Sequence, residues 1–381
     1  MTEKIAAATE TANKPRLMSL DALRGFDMFW ILGGEALFAA LLLLTAWSGW
    51  RWFDGQMHHS SWHGFTFYDL IFPLFIFLSG VALGLSPKRL DKLAFAERLP
   101  KYKHAVKRLA LLLFFGVLYN HGWGTGMPAA LDEIRYASVL GRIAFAWFFA
   151  AMLVWHTGLR TQIYAAVAIL LGYAMVQLWL PVPGGSAGDF SAAGSINAWV
   201  DSHFLPGISY QHKPYDPEGL LSTLPAVVNA LAGVFVGRFL QQQSFSAWGR
   251  VGWLCLAGLV CLGLGWLLNP LIPVNKDLWT SSFVLVSSGW SLLLLALFYA
   301  VIDVLGLRWL GFPFVVIGCN AIIIYLASSL VQWRYSSESL LGGFINSAPE
   351  NWQPLLGVLA MLGVQWLLLW WMYRRQLFIR V

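Results

Sequence analysis

The sequence predicts an all-α polytopic membrane protein, a bundle of about ten transmembrane helices with no soluble domain. Hydrophobic residues make up 58% of its 381 residues and charged residues only 12%, about half the share usual in soluble domains. Apolar runs of about 20 residues, long enough to cross a ~30 Å hydrocarbon layer, recur between short charged clusters. The weak alternation of barrel strands is not seen, so the spans are expected to be helices.

Ten predicted spans follow from these apolar runs. They cover residues 26–47, 66–86, 106–120, 137–156, 161–180, 219–240, 250–268, 280–301, 311–331 and 353–373. An even number of spans places both termini on one side, and the segments on that side contain 19 of the 25 Lys and Arg residues. Cytoplasmic termini are therefore expected from the positive-inside rule. The net charge of +6 indicates topology and not a nucleic-acid partner.

The predicted connections differ in character. Residues 1–15 are polar and lack the apolar core of a signal peptide, so they are expected to form a cytoplasmic tail before a single transmembrane domain, 16–381. Two outer loops are predicted at 48–65 and 181–218, and the second is long enough to act as a lid or substrate platform. The basic inner loop 87–108 serves either for positive-inside retention or to bind an anionic ligand or lipid headgroup.

Several polar residues fall inside the predicted spans. A charge at the membrane centre costs about 2.5–3.5 kcal/mol on insertion scales, so each needs a reason. Glu35 follows Arg24 by 11 residues, about 16 Å of helix rise, and Asp69 lies one turn inside span two. Asn120 closes span three and Asn320 is placed in span nine. These residues predict either one hydrated cavity open to the outside or separate interhelical hydrogen bonds.

Three histidines, His58, His59 and His63, precede span two. No CxxC or HExxH pattern accompanies them, so no metal site is expected. With Glu35 and Asp69 nearby, one histidine is a candidate general base, because imidazole exchanges protons near neutral pH. There is no GxSxG elbow and no P-loop, and the three cysteines lie in apolar runs where packing is the expected role.

Five motifs carry a family resemblance over about 310 residues. They are RLMSLDALRGF (16–26), HSSWHGFTFYDLIFPLFIFLSG (59–80), YDPEGLLST (215–223), PVNKDLWTSSFV (273–284) and GCNAIIIY (318–325). In this order they resemble the heparan-α-glucosaminide N-acetyltransferase family, including its bacterial members, within the wider group of transmembrane acyltransferases.

The resemblance implies an activity and a catalytic residue. Acetyl groups would pass from cytosolic acetyl-CoA to the amine of a glucosamine-type sugar on the periplasmic side of a bacterial inner membrane. The family's catalytic histidine opens its His–x–x–Trp motif, and that position is His59, with Trp62 and Gly64 in register. Asp69 or Glu35 is then expected to orient the imidazole and stabilise its protonated form.

Binding residues are expected at both ends of the bundle. The basic groups expected to hold the acetyl-CoA phosphates are Arg24, Lys88, Arg89, Lys107 and Arg108. The substrate-binding candidates are Trp62, Asn120, Asp216, Glu218, Lys276 and Asn320. Of these, Asn120, Asn320 or Trp62 could donate to the thioester carbonyl, and Asp216 and Glu218 could face a cationic amine. The expected partners are the amino sugar, acetyl-CoA as co-substrate, membrane lipid and a second copy of the chain, with no nucleic acid and no metal.

Some features depart from the family pattern. Glu35 stands where the lysosomal enzyme has asparagine, and Gly141 stands where the family has glutamine. The large luminal domain and the leading span of the animal enzyme are not expected. Two alternative functions also stay open: O-acylation of an envelope glycan, and a sugar permease. A permease would fit the polar cavity, but the inverted repeats common in transporters are not detected in the sequence.

Overall fold

The structure is a computed structural model that describes residues 17–86, 89–121 and 130–379. Over these ranges it contains fifteen α-helices and no β-strand apart from one isolated bridge. The helices are α1 (Met18–Phe29), α2 (Ala36–Thr45), α3 (Trp50–Gln56), α4 (Phe67–Leu85), α5 (Phe95–His121), α6 (Val139–His156), α7 (Leu159–Trp179), α8 (Ile196–Phe204), α9 (Leu220–Leu240), α10 (Ala247–Leu268), α11 (Ser281–Phe298), α12 (Arg308–Gly318), α13 (Ala321–Leu330), α14 (Trp333–Ser347) and α15 (Gln353–Arg374). The predicted fold class, an all-α polytopic membrane protein, is confirmed.

The number of candidate spans is slightly lower than predicted. Seven of the described helices are long and apolar enough to cross a membrane, and two bent helix pairs raise the number to as many as nine. The predicted span that is missing from this set, span three at 106–120, is the second half of α5. Its apolar stretch is short, because Lys107 and Arg108 precede it and Asn120 follows it. The predicted cytoplasmic tail, 1–15, lies outside the described residues.

Two predicted spans are broken rather than continuous. The span predicted at 26–47 bends by 57° between α1 and α2, and the span predicted at 311–331 bends by 56° between α12 and α13. At the first break Gly33 has a φ of 117°, a conformation that glycine adopts without steric cost. Hydropathy registers only apolar length, so it joins both halves of a bent pair into one run.

Close packing against α9 fixes the position of α4 in the bundle. Gly80 and Gly84 of α4 face Gly233 and Gly237 of α9, and a Cβ added at Gly233 would lie 2.0 Å from the carbonyl oxygen of Phe77. Small residues at this spacing let two helix backbones touch, which is how helices associate in lipid without a hydrophobic driving force between them. The position of α4, which carries Asp69, therefore depends on these glycines.

Replacing Gly233 with alanine is expected to destabilise the fold by about 1–3 kcal/mol, because the added methyl group must force α4 and α9 apart. The melting temperature of the purified protein in detergent would fall accordingly. Gly172→Ala in α7 is the matched control, since its Cβ meets nothing within 4 Å and alanine favours helix by about 1 kcal/mol over glycine. Equal melting temperatures for the two variants would contradict the assigned helix contact.

Candidate active site

His59 and Asp69 form a hydrogen-bonded pair at the first turn of α4. The distance from His59 Nδ1 to Asp69 Oδ1 is 2.9 Å. Asp69 is fully buried, and its Oδ2 accepts hydrogen bonds from the Ser60 backbone and from Thr66, with which it forms a capping box. A carboxylate only accepts, so the imidazole donates through Nδ1 and its Nε2 carries the lone pair. The His59 side chain is half exposed, and it lines the cavity described below.

Lys276 brings a cation to the same imidazole. Its Nζ lies 3.0 Å from both ring nitrogens of His59 and 3.9 Å from Asp69 Oδ1. An atom equidistant from both nitrogens at this range would overlap Cε1 if it lay in the ring plane, so the ammonium lies over the ring face. The Nε2 lone pair, which lies in the plane, therefore stays available. Asn275 fixes the Lys276 segment by donating to the Trp62 carbonyl oxygen at 2.9 Å.

The environment of Lys276 affects its proton affinity. Burial lowers the pKa of the Lys276 amine below its ordinary value, and the charges of Asp69 and Asp277 oppose that effect only in part. Asp277 in turn accepts a hydrogen bond from Tyr215 at 2.9 Å. This lysine thus loses its charge at a lower pH than a surface lysine does.

Arg135 forms ion pairs with two carboxylates of the 181–218 loop. Its guanidinium binds Asp216 through two nitrogens at 2.9 and 2.6 Å, and it also pairs with Glu218. Burial alone would raise the pKa of Asp216, but the hydrogen bonds and charge of Arg135 bring it below its ordinary value. Both carboxylates are therefore partnered by the protein. The sequence did not single out Arg135, because 81 residues separate it from Asp216.

One cavity of about 1130 Å³ extends from the cluster of His59, Asp69 and Lys276 along α4 to two arginines. Lys276 and His59 line it, and so do Arg24 and Arg108. Along α4 its lining runs from Asp69 to Ala82, a helix rise of roughly 20 Å. A ligand in this cavity could thus reach both His59 and the two arginines.

The structure brings together some of the predicted substrate residues. Trp62 lines the cavity and donates through Nε1 to the Phe190 carbonyl at 2.9 Å. Asn120 donates to two backbone carbonyls, of Arg135 and Ala137, at 3.1 and 2.7 Å. The side-chain amide of Asn320, on the bent span, donates to the carbonyl oxygen of Leu377 and accepts from the backbone N–H of Ile379. All three predicted donors already donate to protein acceptors. Among the described residues that line the cavity, Lys276 is the cation in contact with His59.

Glu35 is not joined to this cluster. The predicted pairing of Glu35 with His59 has no hydrogen bond in the described structure, and Glu35 lines a second cavity of about 560 Å³. The depth counted along an unbroken helix from Arg24 does not hold, because the π-helical segment Trp30–Gly34 and the bend at Gly33 intervene. Of the two acids considered for orienting His59, Asp69 is the one in contact.

The predicted phosphate-binding residues are divided between cavity and surface. Arg24 and Arg108 line the large cavity. Arg89 is exposed and pairs with Asp91, and Lys107 is exposed on α5, so neither lines that cavity. Lys88 lies outside the described residues.

Comparisons with known proteins identify distant relatives by sequence. No family model matches the chain. The heparan-α-glucosaminide N-acetyltransferase of Mus musculus is 28% identical over 392 residues, which cover 87% of this chain and 57% of that protein. The protein of the same name from Homo sapiens is 27% identical over 372 residues, which cover 84% and 54% of the two chains. The chain is distantly related to both. It spans about half the length of these curated relatives, and the resemblance carried by the five motifs is confirmed.

Proposed function

We propose that this protein transfers the acetyl group of cytosolic acetyl-CoA to the amine of a glucosamine-type sugar on the periplasmic side of a bacterial inner membrane. The observation that carries the proposal is the single cavity that joins the cluster of His59, Asp69 and Lys276 to Arg24 and Arg108. Its distant relatives are named as N-acetyltransferases. An acetyl donor and an acceptor on opposite sides of a membrane need such a connection, because neither the CoA phosphates nor the polar sugar can cross the apolar layer.

The inner arginines are suited to the phosphates of acetyl-CoA. The Arg108 guanidinium stacks on Trp147 at 4.1 Å from the ring centroid, and its Nε has no hydrogen-bond partner among the described residues. A planar guanidinium held in this way presents donors that match phosphate oxygens. The less polar arm of the cofactor would then lie along α4 and bring the thioester to His59.

Acetyl transfer at His59 has two balanced routes. In direct transfer, the acceptor amine attacks the thioester carbonyl, His59 Nε2 takes the amine proton, the C–S bond breaks, and the imidazolium returns the proton to the CoA thiolate. In the covalent route, Nε2 itself attacks, the C–S bond breaks and CoA leaves as the thiolate. The amine then attacks the acetyl carbon, the bond from that carbon to Nε2 breaks, and the amine proton passes to the thiolate or to solvent. Asp69 holds the tautomer in both routes, and the Lys276 ammonium, 3.0 Å from His59 Nε2, would stabilise the thioester oxygen as it gains negative charge.

The acceptor would enter from the outer loops. Residues of the 181–218 loop line the outer part of the cavity, among them Tyr215, whose ring contacts Trp62 at 5.0 Å between centroids. Aromatic faces of this kind suit a sugar ring, whose C–H surfaces are apolar. Because Arg135 already binds Asp216 and Glu218, we propose that these acids order the loop rather than receive the sugar's ammonium.

Release of free CoA by the purified protein tests this function. The assay supplies acetyl-CoA alone, with glucosamine, or with N-acetylglucosamine, which has no free amine. Glucosamine-dependent CoA release with matching formation of N-acetylglucosamine is the expected result. Stimulation by a polyol glycan instead would favour the O-acyltransferase alternative. CoA release that no acceptor stimulates, or uptake of sugar without acetyl transfer, would overturn the proposal.

Replacing Arg108 with leucine is expected to weaken CoA binding by about tenfold or more, since one charge-assisted phosphate contact is lost. Titration of the variant with CoA, without any acceptor, measures the change. Lys107→Leu is the matched control, because Lys107 is the adjacent exposed cation and does not line the cavity. If both variants bound CoA as the wild type does, the inner end of the cavity would not be the phosphate site.

A further inference from the structure

A second cavity of about 560 Å³ lies beside the bend between α1 and α2, and the transfer mechanism does not use it. Its lining comprises the segment before the bend, Glu35, residues from the end of α13 into α14, among them the ion-paired Arg334 and Glu338, and Met361 and Gln365 of α15. The Gln365 side chain is buried, and its Nε2 donates to the Leu32 carbonyl at 3.1 Å. Gln365 thus supplies a hydrogen-bond donor to the Leu32 carbonyl oxygen beside the bend.

Two acceptors in this cavity lack donors. Glu35 Oε2 and Gln365 Oε1 are buried atoms without a hydrogen-bond partner in the described structure. Because Nε2 of Gln365 is committed to Leu32, the amide cannot be reversed to supply a donor instead. A buried acceptor without a donor costs about 1–3 kcal/mol. The other carboxylate of the cavity, Glu338, is paired with Arg334 at 3.0 Å and is far more exposed.

We propose that this second cavity binds a primary ammonium group between Glu35 and Gln365. An ammonium carries three N–H donors and no acceptor, so it satisfies both oxygens and leaves one donor for a further contact. Its charge also offsets the cost of burying an ionised Glu35 carboxylate, since an opposite charge within about 4–6 Å favours the ionised form. Two free oxygens are too few for Ca²⁺, which takes six to eight oxygen ligands.

We consider two sources of such an ammonium group. One is an aminophospholipid, whose acyl chains would lie along Ile31, Val331 and Met361, and the other is a free amino sugar, whose ring would face Trp333. The shared chemistry is the primary amine. The proposal does not depend on acetyl transfer, because binding here is measured without acetyl-CoA.

The test uses the intact purified chain and Glu35→Gln, which keeps the shape of the side chain and removes its charge. One arm measures retention of phosphatidylethanolamine against phosphatidylcholine by native mass spectrometry. The other arm measures binding of glucosamine against N-acetylglucosamine by calorimetry, in the His59→Ala background and with CoA filling the large cavity. Glu338→Gln is the matched control, because this carboxylate lines the same cavity but already has Arg334 as its partner.

A preference for the amine-bearing probe in either arm is expected, with affinity lowered about tenfold or more by Glu35→Gln and changed less than about twofold by Glu338→Gln. Selectivity in the first arm identifies an aminophospholipid and selectivity in the second an amino sugar. Equal binding of both members of each pair, or preference that survives Glu35→Gln, would overturn the proposal. A failed CoA-release assay would leave these binding results intact, so the two proposals fail separately.

Discussion

Alanine at position 59 is expected to reduce acetyl transfer by about 10²-fold or more while CoA affinity stays within about twofold of wild type. The imidazole Nε2 is the only group that removes the amine proton or takes the acetyl group in the two routes proposed. CoA binding should persist, because the phosphate contacts proposed above involve Arg24 and Arg108, at the end of the cavity away from His59. Steady-state CoA release and a CoA titration on the same preparation measure the two quantities.

His58→Ala is the matched control for this variant. His58 is adjacent in sequence, is exposed, and lies 3.7 Å from Asp54 rather than in contact with Asp69. Its loss should change the transfer rate less than about threefold, as for a surface substitution. Near wild-type turnover by His59→Ala would remove His59 from the mechanism. Loss of CoA affinity in the same variant would instead indicate a damaged fold.

Methionine at position 276 is expected to lower the maximal rate of transfer by about 10²–10³-fold, with a smaller change in KM. Loss of one group that stabilises a developing oxyanion typically has an effect of this size, because the contact is strongest in the transition state. Methionine preserves the length and apolar body of the lysine and removes only the charge. Lys276→Arg, which keeps the charge, should recover part of the rate.

The pH profile separates an electrostatic role of Lys276 from a structural one. Since burial lowers the pKa of this amine, its charge is lost as pH rises at values below the ~10.4 of a free lysine. The rate should therefore decline on the alkaline side in wild type, and Lys276→Arg should lack that decline because arginine stays protonated. An alkaline decline of the same position and size in both proteins would assign it to another group.

Part of the site could be predicted from local features of the sequence. His59 and Asp69 are ten residues apart, and the Thr66–x–x–Asp69 spacing of the capping box lies at the start of an apolar run. A short loop that enters such a helix end brings its side chains to the first turn whatever the remaining fold is. The class of the fold could be predicted for a similar reason, because the apolar length needed to cross a membrane is a property of each segment alone.

Contacts between distant segments could not be predicted in this way. Lys276 contacts His59 although 217 residues separate them, and Arg135 binds Asp216 at a separation of 81 residues. The roles of both cations therefore depend on how α4, α9 and the loops pack. The choice between Asp69 and Glu35 depended on the bend at Gly33, which hydropathy does not register. The sequence by itself determined a helical membrane protein with His59 at a helix entrance. Only the tertiary structure decided which charges surround that histidine, because charges act through distance in space and not along the chain.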